Sequence, residues 1–265
     1  MAVVRPPVAN LHAQPSLRSE LVSQALMGTP VGVLRVLPAW VLVRCPDGYE
    51  GWMDSGAVGP PAPCEGPVAV AAEPLVNLRV EPSSRSAPTT TISLGTGLPV
   101  SEAKNGWIGV RLPSGAVAWA EAHRLATHRP PASGDRIVAT ALLLLGTPYL
   151  WGGTSAFGVD CSGLVQLVFG FHGVRLPRDA HQQAEATMPI GAEQPRAGTL
   201  AFFAPQPDAP ASEVDHVGLC TGDGRLVHAQ GGGRVVCSPL SDPQLATRLW
   251  GFRQAAELAN RVEEP

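Results

Sequence analysis

Long apolar stretches are missing from this 265-residue chain. Runs such as Ala141 to Leu145 stop far short of the roughly 20 residues that cross a bilayer, which excludes a helical membrane span, and no membrane partner is expected. The opening residues offer only Ala2, Val3 and Val4 before Arg5, Pro6 and Pro7 interrupt. The apolar core of a secretory signal is therefore absent, and a cytoplasmic location is expected. Charge is scarce as well: 15% of residues are charged, 22 acidic against 19 basic, for a net charge of −3. No block of Lys or Arg forms a phosphate-binding footprint, so nucleic acid is not an expected partner. The five cysteines, at 45, 64, 161, 220 and 237, are odd in number and never spaced as C-x-x-C. That argues against a disulfide framework or a zinc knuckle, and no metal or cofactor is expected. What the chain has in abundance is turn formers, 29 Gly and 27 Pro, which point to short strands and many turns.

The N-terminal half repeats itself at a constant offset of 67 residues without a gap. Asn10-Leu11 falls on Asn77-Leu78, Pro15-Ser16 on Pro82-Ser83, Gly28-Thr29 on Gly95-Thr96, Trp40 on Trp107, and Trp52 on Trp119. Each copy consists of β-branched-rich runs, such as Val31 to Val36 and Ile108 to Leu112, separated by Gly/Pro turns, the pattern of a small all-β barrel. Trp40 and Trp107, at the start of a strand in each copy, are expected in the cores. The register also exposes a difference: Glu20 and Tyr49 of the first copy are replaced by Ala87 and Ala116 in the second.

Pro60-Pro61-Ala62-Pro63 and Arg129-Pro130-Pro131 mark linkers, giving three expected domains at 1–60, 68–128 and 135–265. In the third, Ile137, Ala141, Leu144 and Leu145 recur at helical spacing until Gly146 and Pro148 stop them. Runs at 200–204, 214–220, 225–229 and 234–237 read as strands of one antiparallel sheet, so this domain is α+β.

The chemistry-bearing residues lie in this third region. Leu164, Val165, Leu167 and Val168 follow Asp160-Cys161-Ser162-Gly163 at helical spacing, which makes Asp160 an N-cap and puts Cys161 in the first turn. A thiol there is expected to be drawn toward thiolate by the helix N-terminus. His216 and His228 sit on two apolar runs joined by Gly222-Asp223-Gly224. With a hairpin centred near Gly222 they would lie opposite each other on one face, one able to act as base and the other to fix its tautomer. Nucleophile, base and orienter together make a set for covalent acyl transfer. His12, His123, His128 and His172 have no such partners in the sequence, and Gly231-Gly232-Gly233 lacks the context of a phosphate loop.

At these residues the chain resembles the NlpC-type papain-like cysteine peptidases. The resemblance is carried by Tyr149 to Gly153, Asp160-Cys161-Ser162-Gly163, Leu176-Pro177-Arg178-Asp179, Gly198 to Phe203 and Asp215-His216-Val217-Gly218, with His228 downstream. The two repeats resemble bacterial SH3-like domains, so the implied fold is two SH3-like β-barrels followed by a papain-like α+β catalytic domain. The whole looks most like the γ-D-glutamyl-L-diamino acid endopeptidases, which act on murein stem peptides with a free N-terminal L-alanine. That resemblance implies Cys161 as nucleophile, His216 as general base and acid, His228 as orienter, and the Tyr149 hydroxyl with the Cys161 N–H as oxyanion donors. It implies substrate contacts for Asp160, Ser162 and Asp179, and for Glu20 and Tyr49 at the substrate's ammonium. Ala180 stands where relatives often carry Ser, and Thr199 where Asp is common. The function expected is hydrolysis of the γ-D-glutamyl-L-diamino acid bond in cell-wall recycling. An exported cell-wall lysin and a non-catalytic peptidoglycan-binding protein are the alternatives.

Overall fold

The computed structural model describes residues 1–61, 66–191 and 195–259. The linker residues Ala62 and Pro63, together with Cys64, lie outside them. Two compact units result. The first comprises Met1–Pro130 and Trp151–Phe157; the second comprises Pro131–Leu150 and the described residues from Gly158 onward.

In the first unit the repeat is reproduced strand by strand. The first barrel contains β1 (Ala2–Val4), β2 (Val8–His12), β3 (Leu21–Leu26), β4 (Pro30–Val36), β5 (Trp40–Arg44), β6 (Glu50–Asp54) and β7 (Val58–Gly59). The second contains β8 (Val68–Ala71), β9 (Leu75–Arg79), β10 (Pro88–Ser93), β11 (Gly97–Lys104), β12 (Trp107–Arg111), β13 (Val117–Glu121) and β14 (Leu125–Ala126). Both seven-stranded sheets have the same order, β3-β2-β6-β5-β4-β1-β7 and β10-β9-β13-β12-β11-β8-β14. Val4, Leu11, Val43 and Met53 fill the first core; Val76, Leu78, Ile92 and Leu98 fill the second. The tryptophans correct the expectation, because Trp40 and Trp107 are only half-buried while Trp52 and Trp119 are the buried pair. Trp40 instead stands edge-on to His12, ring centroids 5.5 Å apart. The barrels also pack on each other. Met27 of the first joins the core of the second, and at Gly28, with φ +80°, a Cβ would come within 2.9 Å of the Gly97 carbonyl oxygen.

Trp151–Phe157, which contains the short strand β15 (Thr154–Ser155), is held by both barrels. Gln24 Oε1 accepts from the Thr154 N–H at 3.1 Å and the Ser155 hydroxyl at 3.0 Å, and Ser93 Oγ accepts from the Ala156 N–H at 2.8 Å.

The second unit begins with α1 (Gly134–Leu142), capped by Ser133, and continues through β16 (Gly158–Val159), α2 (Cys161–Phe171) and α3 (Ala180–Ala186). Then come β17 (Met188–Pro189), β18 (Leu200–Phe203), β19 (His216–Cys220), β20 (Arg225–Ala229), β21 (Val235–Pro239), α4 (Pro243–Ala246), β22 (Leu249–Gln254) and α5 (Ala256–Ala259). The four expected strands form one antiparallel sheet, whose order is β17-β22-β18-β19-β20-β21. The last strand, β22, inserts beside β18. Leu164, Val165, Leu167 and Val168 of α2 are buried, and the helix packs against β19 and β20. No helix among the described residues is long and apolar enough to cross a membrane.

Candidate active site

The start of α2 is built as its sequence requires. Asp160 Oδ1 accepts from the Gly163 N–H at 2.7 Å, the N-cap bond, and this places Cys161 in the first turn. The sulfur lies 3.9 Å from the Asp215 carbonyl oxygen and accepts from the backbone N–H of Val217 and of Ser162. Contacts with residues 215 and 217 bracket His216 in the chain, at the start of β19.

His216 and His228 share a sheet face, but not as directly opposed partners. The register Leu219↔Val227 and Cys220↔Leu226 centres the hairpin on Asp223, one residue beyond the expected Gly222, and makes the histidines a diagonal pair. The residue opposite His228 by this register is Gly218, where a Cβ would lie 2.2 Å from Leu226 Cδ1 and 3.2 Å from His228 Cβ. The glycine keeps that space open, and His216 Nε2 and His228 Nδ1 meet at 2.9 Å with rings nearly perpendicular. His216 is thereby left with Nδ1 for proton transfer.

Burial shapes the titration of this pair. It pushes the Cys161 thiol up to about 11, with the Asp160 carboxylate adding to it and the Val217 and Ser162 N–H groups and Arg178 pulling back. The expected pull of the helix N-terminus toward thiolate is outweighed. His216 is pushed down to about 3 by burial, with His228 and Arg248 contributing. Between those values the pair rests as neutral thiol and neutral imidazole, which suits transfer of the proton during attack rather than before it. One outcome follows for alkylation: its rate at Cys161 should climb about tenfold per pH unit from pH 6 toward 10, tracking the small thiolate fraction. Mass-spectrometric rates with iodoacetamide check this. A fast plateau already at pH 5 would show a preformed ion pair.

Tyr149 is held by its backbone, its N–H donating to Gly233 O at 2.9 Å and an isolated parallel bridge pairing it with Val159. The glycine run at 231–233 thus anchors this loop. Burial, Cys161 and Asp160 push the Tyr149 hydroxyl up to about 12, so it stays protonated and able to donate.

Asp160 and Ser162 are buried in a network the sequence reading did not resolve. Arg178, 2% exposed, reaches Asp160 Oδ1 at 3.1 Å and Oδ2 at 2.5 Å, and the Ser162 hydroxyl at 2.9 Å. Gln183 of α3 ties the Ser162 and Pro177 carbonyls at 3.0 and 2.9 Å. Asp179 caps α3, with Gln182 Oε1 accepting from its N–H at 3.3 Å. Ala180, at the first position of α3, is buried, and Thr199 holds a turn by accepting from the Arg196 N–H at 3.2 Å. Arg248 Nη2 donates to both Asp215 carboxylate oxygens, at 2.6 and 2.8 Å.

Glu20 and Tyr49 belong to the first unit. Glu20 Oε1 accepts from the Trp151 indole N–H at 2.8 Å, and the Tyr49 N–H is held by Asp47 Oδ1 at 3.0 Å. Of the histidines given no role, His172 is buried against the Thr140 hydroxyl at 2.8 Å, His12 meets the Ser19 carbonyl at 3.2 Å, and His128 is exposed. Among the described residues no cluster of three or more His, Cys, Asp and Glu side chains could hold a metal.

Comparison with known proteins places the chain in a family. Residues 146–254 match the NlpC/P60 family, and residues 7–59 and 74–126 each match the bacterial SH3 domain. A γ-D-glutamyl-L-lysine dipeptidyl-peptidase of Bacillus cereus is 30% identical over 254 residues, covering 89% of this chain and 75% of the relative. Dipeptidyl-peptidase 6 of Lysinibacillus sphaericus is 30% identical over 252 residues, covering 89% of both. The crystal structure of an NlpC/P60 family protein from Bacillus cereus superposes with a TM-score of 0.86 at 26% identity, covering 96% of this chain and 98% of that one. With two bacterial SH3 domains ahead of a region that matches the NlpC/P60 model, the chain belongs to the NlpC/P60 family of peptidoglycan peptidases.

Proposed function

We propose that this chain is a cysteine endopeptidase that cuts the γ-D-glutamyl-L-diamino acid bond of murein peptides bearing a free N-terminal L-alanine. The observation that carries the reading is the Cys161 thiol bracketed by residues 215 and 217, with His216 backed by His228 at 2.9 Å. The names of the relatives support the bond class, since two of them, from Bacillus cereus and Bacillus subtilis, are γ-D-glutamyl-L-lysine dipeptidyl-peptidases.

In this mechanism the Cys161 proton passes to His216 Nδ1 as the sulfur attacks the γ-carbonyl carbon of D-glutamate. The Tyr149 hydroxyl and the Cys161 N–H donate to the oxyanion. Collapse breaks the C–N bond, and His216 returns its proton to the departing amine, leaving a γ-glutamyl thioester. Water then gives a proton to His216 and its oxygen to the carbonyl, which frees the thiol and the carboxylate product.

Selection of the free amine is assigned to Glu20 and Tyr49. What supports this is the asymmetry of the repeat, in which only the first copy carries the carboxylate and the phenol. A charge-assisted bond to an ammonium contributes about 1.5–3 kcal/mol. Wild type should therefore prefer free over N-acetylated L-Ala-γ-D-Glu-diaminopimelate by at least about tenfold in kcat/KM. Glu20→Ala should lose much of that preference by slowing the free peptide. Such an enzyme spares wall-linked stems, whose L-alanine is acylated, and acts on released peptides, as recycling in the cytoplasm requires. Equal cleavage of acetylated peptide or intact sacculi would favour the exported lysin instead.

A further inference from the structure

Building on the peptidase reading above, we propose that Ser238 is a positioning residue, the fourth member of a chain running Cys161, His216, His228, Ser238, whose hydroxyl accepts from the outer nitrogen of His228. The contact is direct: His228 Nε2 lies 3.1 Å from Ser238 Oγ, while His228 Nδ1 faces His216 Nε2 at 2.9 Å. The sheet register makes the arrangement regular. His228 pairs with Val236 and Leu226 with Ser238, so Ser238 is diagonal to His228 across β20 and β21, as His216 is diagonal to His228 across β19 and β20. Two diagonal steps carry one hydrogen-bonded line across three strands.

The direction of the protons in that line is forced once His216 has taken the thiol proton. An imidazolium donates from both nitrogens, so its Nε2–H can be received only by a bare Nδ1 on His228. His228, neutral with Nδ1 bare, must then carry its proton on Nε2. That N–H belongs to a buried ring, and Ser238 Oγ is the acceptor within reach. Without it, the charged state of His216 would be reached only by leaving a buried donor unmatched, a cost that falls on the transition state and not on substrate binding. Two further groups act on this line: Arg248 ahead of β22 on His216, and Asp242 ahead of α4 on His228, where burial is the larger effect and holds the imidazole below its ordinary value while Asp242 works against it.

Ser238→Ala should lower kcat about tenfold with KM within about twofold of wild type, the effect of one hydrogen bond made in the charged state. Ser238→Thr keeps the hydroxyl and should restore kcat. Placed on a His228→Asn background, Ser238→Ala should cost nothing further, because the line it supports is already cut. Wild-type kcat in Ser238→Ala, or the same tenfold loss in the His228→Asn background, would overturn the proposal while leaving the peptidase reading intact. Hydrolysis at the wild-type rate by Cys161→Ala would overturn the peptidase reading itself, and the role of Ser238 with it.

Discussion

Cys161→Ala should reduce hydrolysis of L-Ala-γ-D-Glu-diaminopimelate by about four orders of magnitude or more, with the folded state intact. Alanine leaves the helix start as it is, since the N-cap bond runs from Asp160 to the Gly163 N–H and does not involve residue 161. What disappears is the sulfur that forms the thioester. His216→Ala should cost a comparable amount, because neither attack nor departure of the amine can then pass its proton on. His228→Asn and His228→Gln should cost less, since an amide can still accept from His216 Nε2. Cys45→Ala and Cys220→Ala should keep activity, for both thiols are pushed up to about 12 by burial, Cys45 in the first barrel and Cys220 at the far end of β19 from His216. Chromatographic assay of released L-Ala-D-Glu settles the comparison. Full turnover by Cys161→Ala would sink the covalent mechanism, and equal, total loss at both His228 variants with sensitivity to chelators would point to a metal pair instead.

Arg178→Ala should be the most damaging single change to the second unit, costing about 3–5 kcal/mol. The guanidinium is enclosed against Asp160 and Ser162, so truncating it strands a carboxylate and a hydroxyl away from water. The loss falls at the first turn of α2, which carries Cys161. Native-state hydrogen exchange reads it locally: amides of α2 should exchange roughly two to four orders of magnitude faster at pH 7. Arg178→Lys should rescue little, because a single ammonium cannot reproduce the bidentate pair and the serine contact. Unchanged protection of α2 in Arg178→Ala would show that the network contributes little to stability.

Legibility in the sequence followed locality. The repeat holds one constant offset, and its strands coincide residue for residue at β2 and β9, β3 and β10, β5 and β12, β6 and β13, and β7 and β14. The helix start at Cys161 is equally local, carried by an N-cap and four apolar residues. Contacts between segments far apart in the chain were less visible. Arg178 stands in a recognised motif, yet nothing in its neighbours announces that it folds back 18 residues to Asp160. Ser238 is one serine among many until β21 places it beside His228. The hairpin register slipped by one residue in the reading because Gly222 and Gly224 flank the turn symmetrically, and either side could have been its centre. β22 was passed over because Leu249 to Gln254 mixes Trp, Gly and Arg, and every residue in it is half-buried rather than alternating. The thiol's titration turned on burial, which a local helix-start argument does not contain.

The clasp on Trp151–Phe157 bears on how such a chain can be assembled by recombination. In sequence the barrels and the peptidase look like separable cassettes, divided by proline-rich joints. In space the segment that follows Leu150 is stitched to Gln24 of one barrel and Ser93 of the other. A chain beginning at Pro131 would keep that segment but strip the acceptors from the Thr154 and Ala156 N–H groups and the Ser155 hydroxyl. Grafting foreign barrels would have the same effect unless they carried a glutamine and a serine at the equivalent strand positions. The spatial unit is therefore the barrel pair together with its seven-residue insert, and an exchange of barrels should preserve these bonds only where both halves of that match travel together.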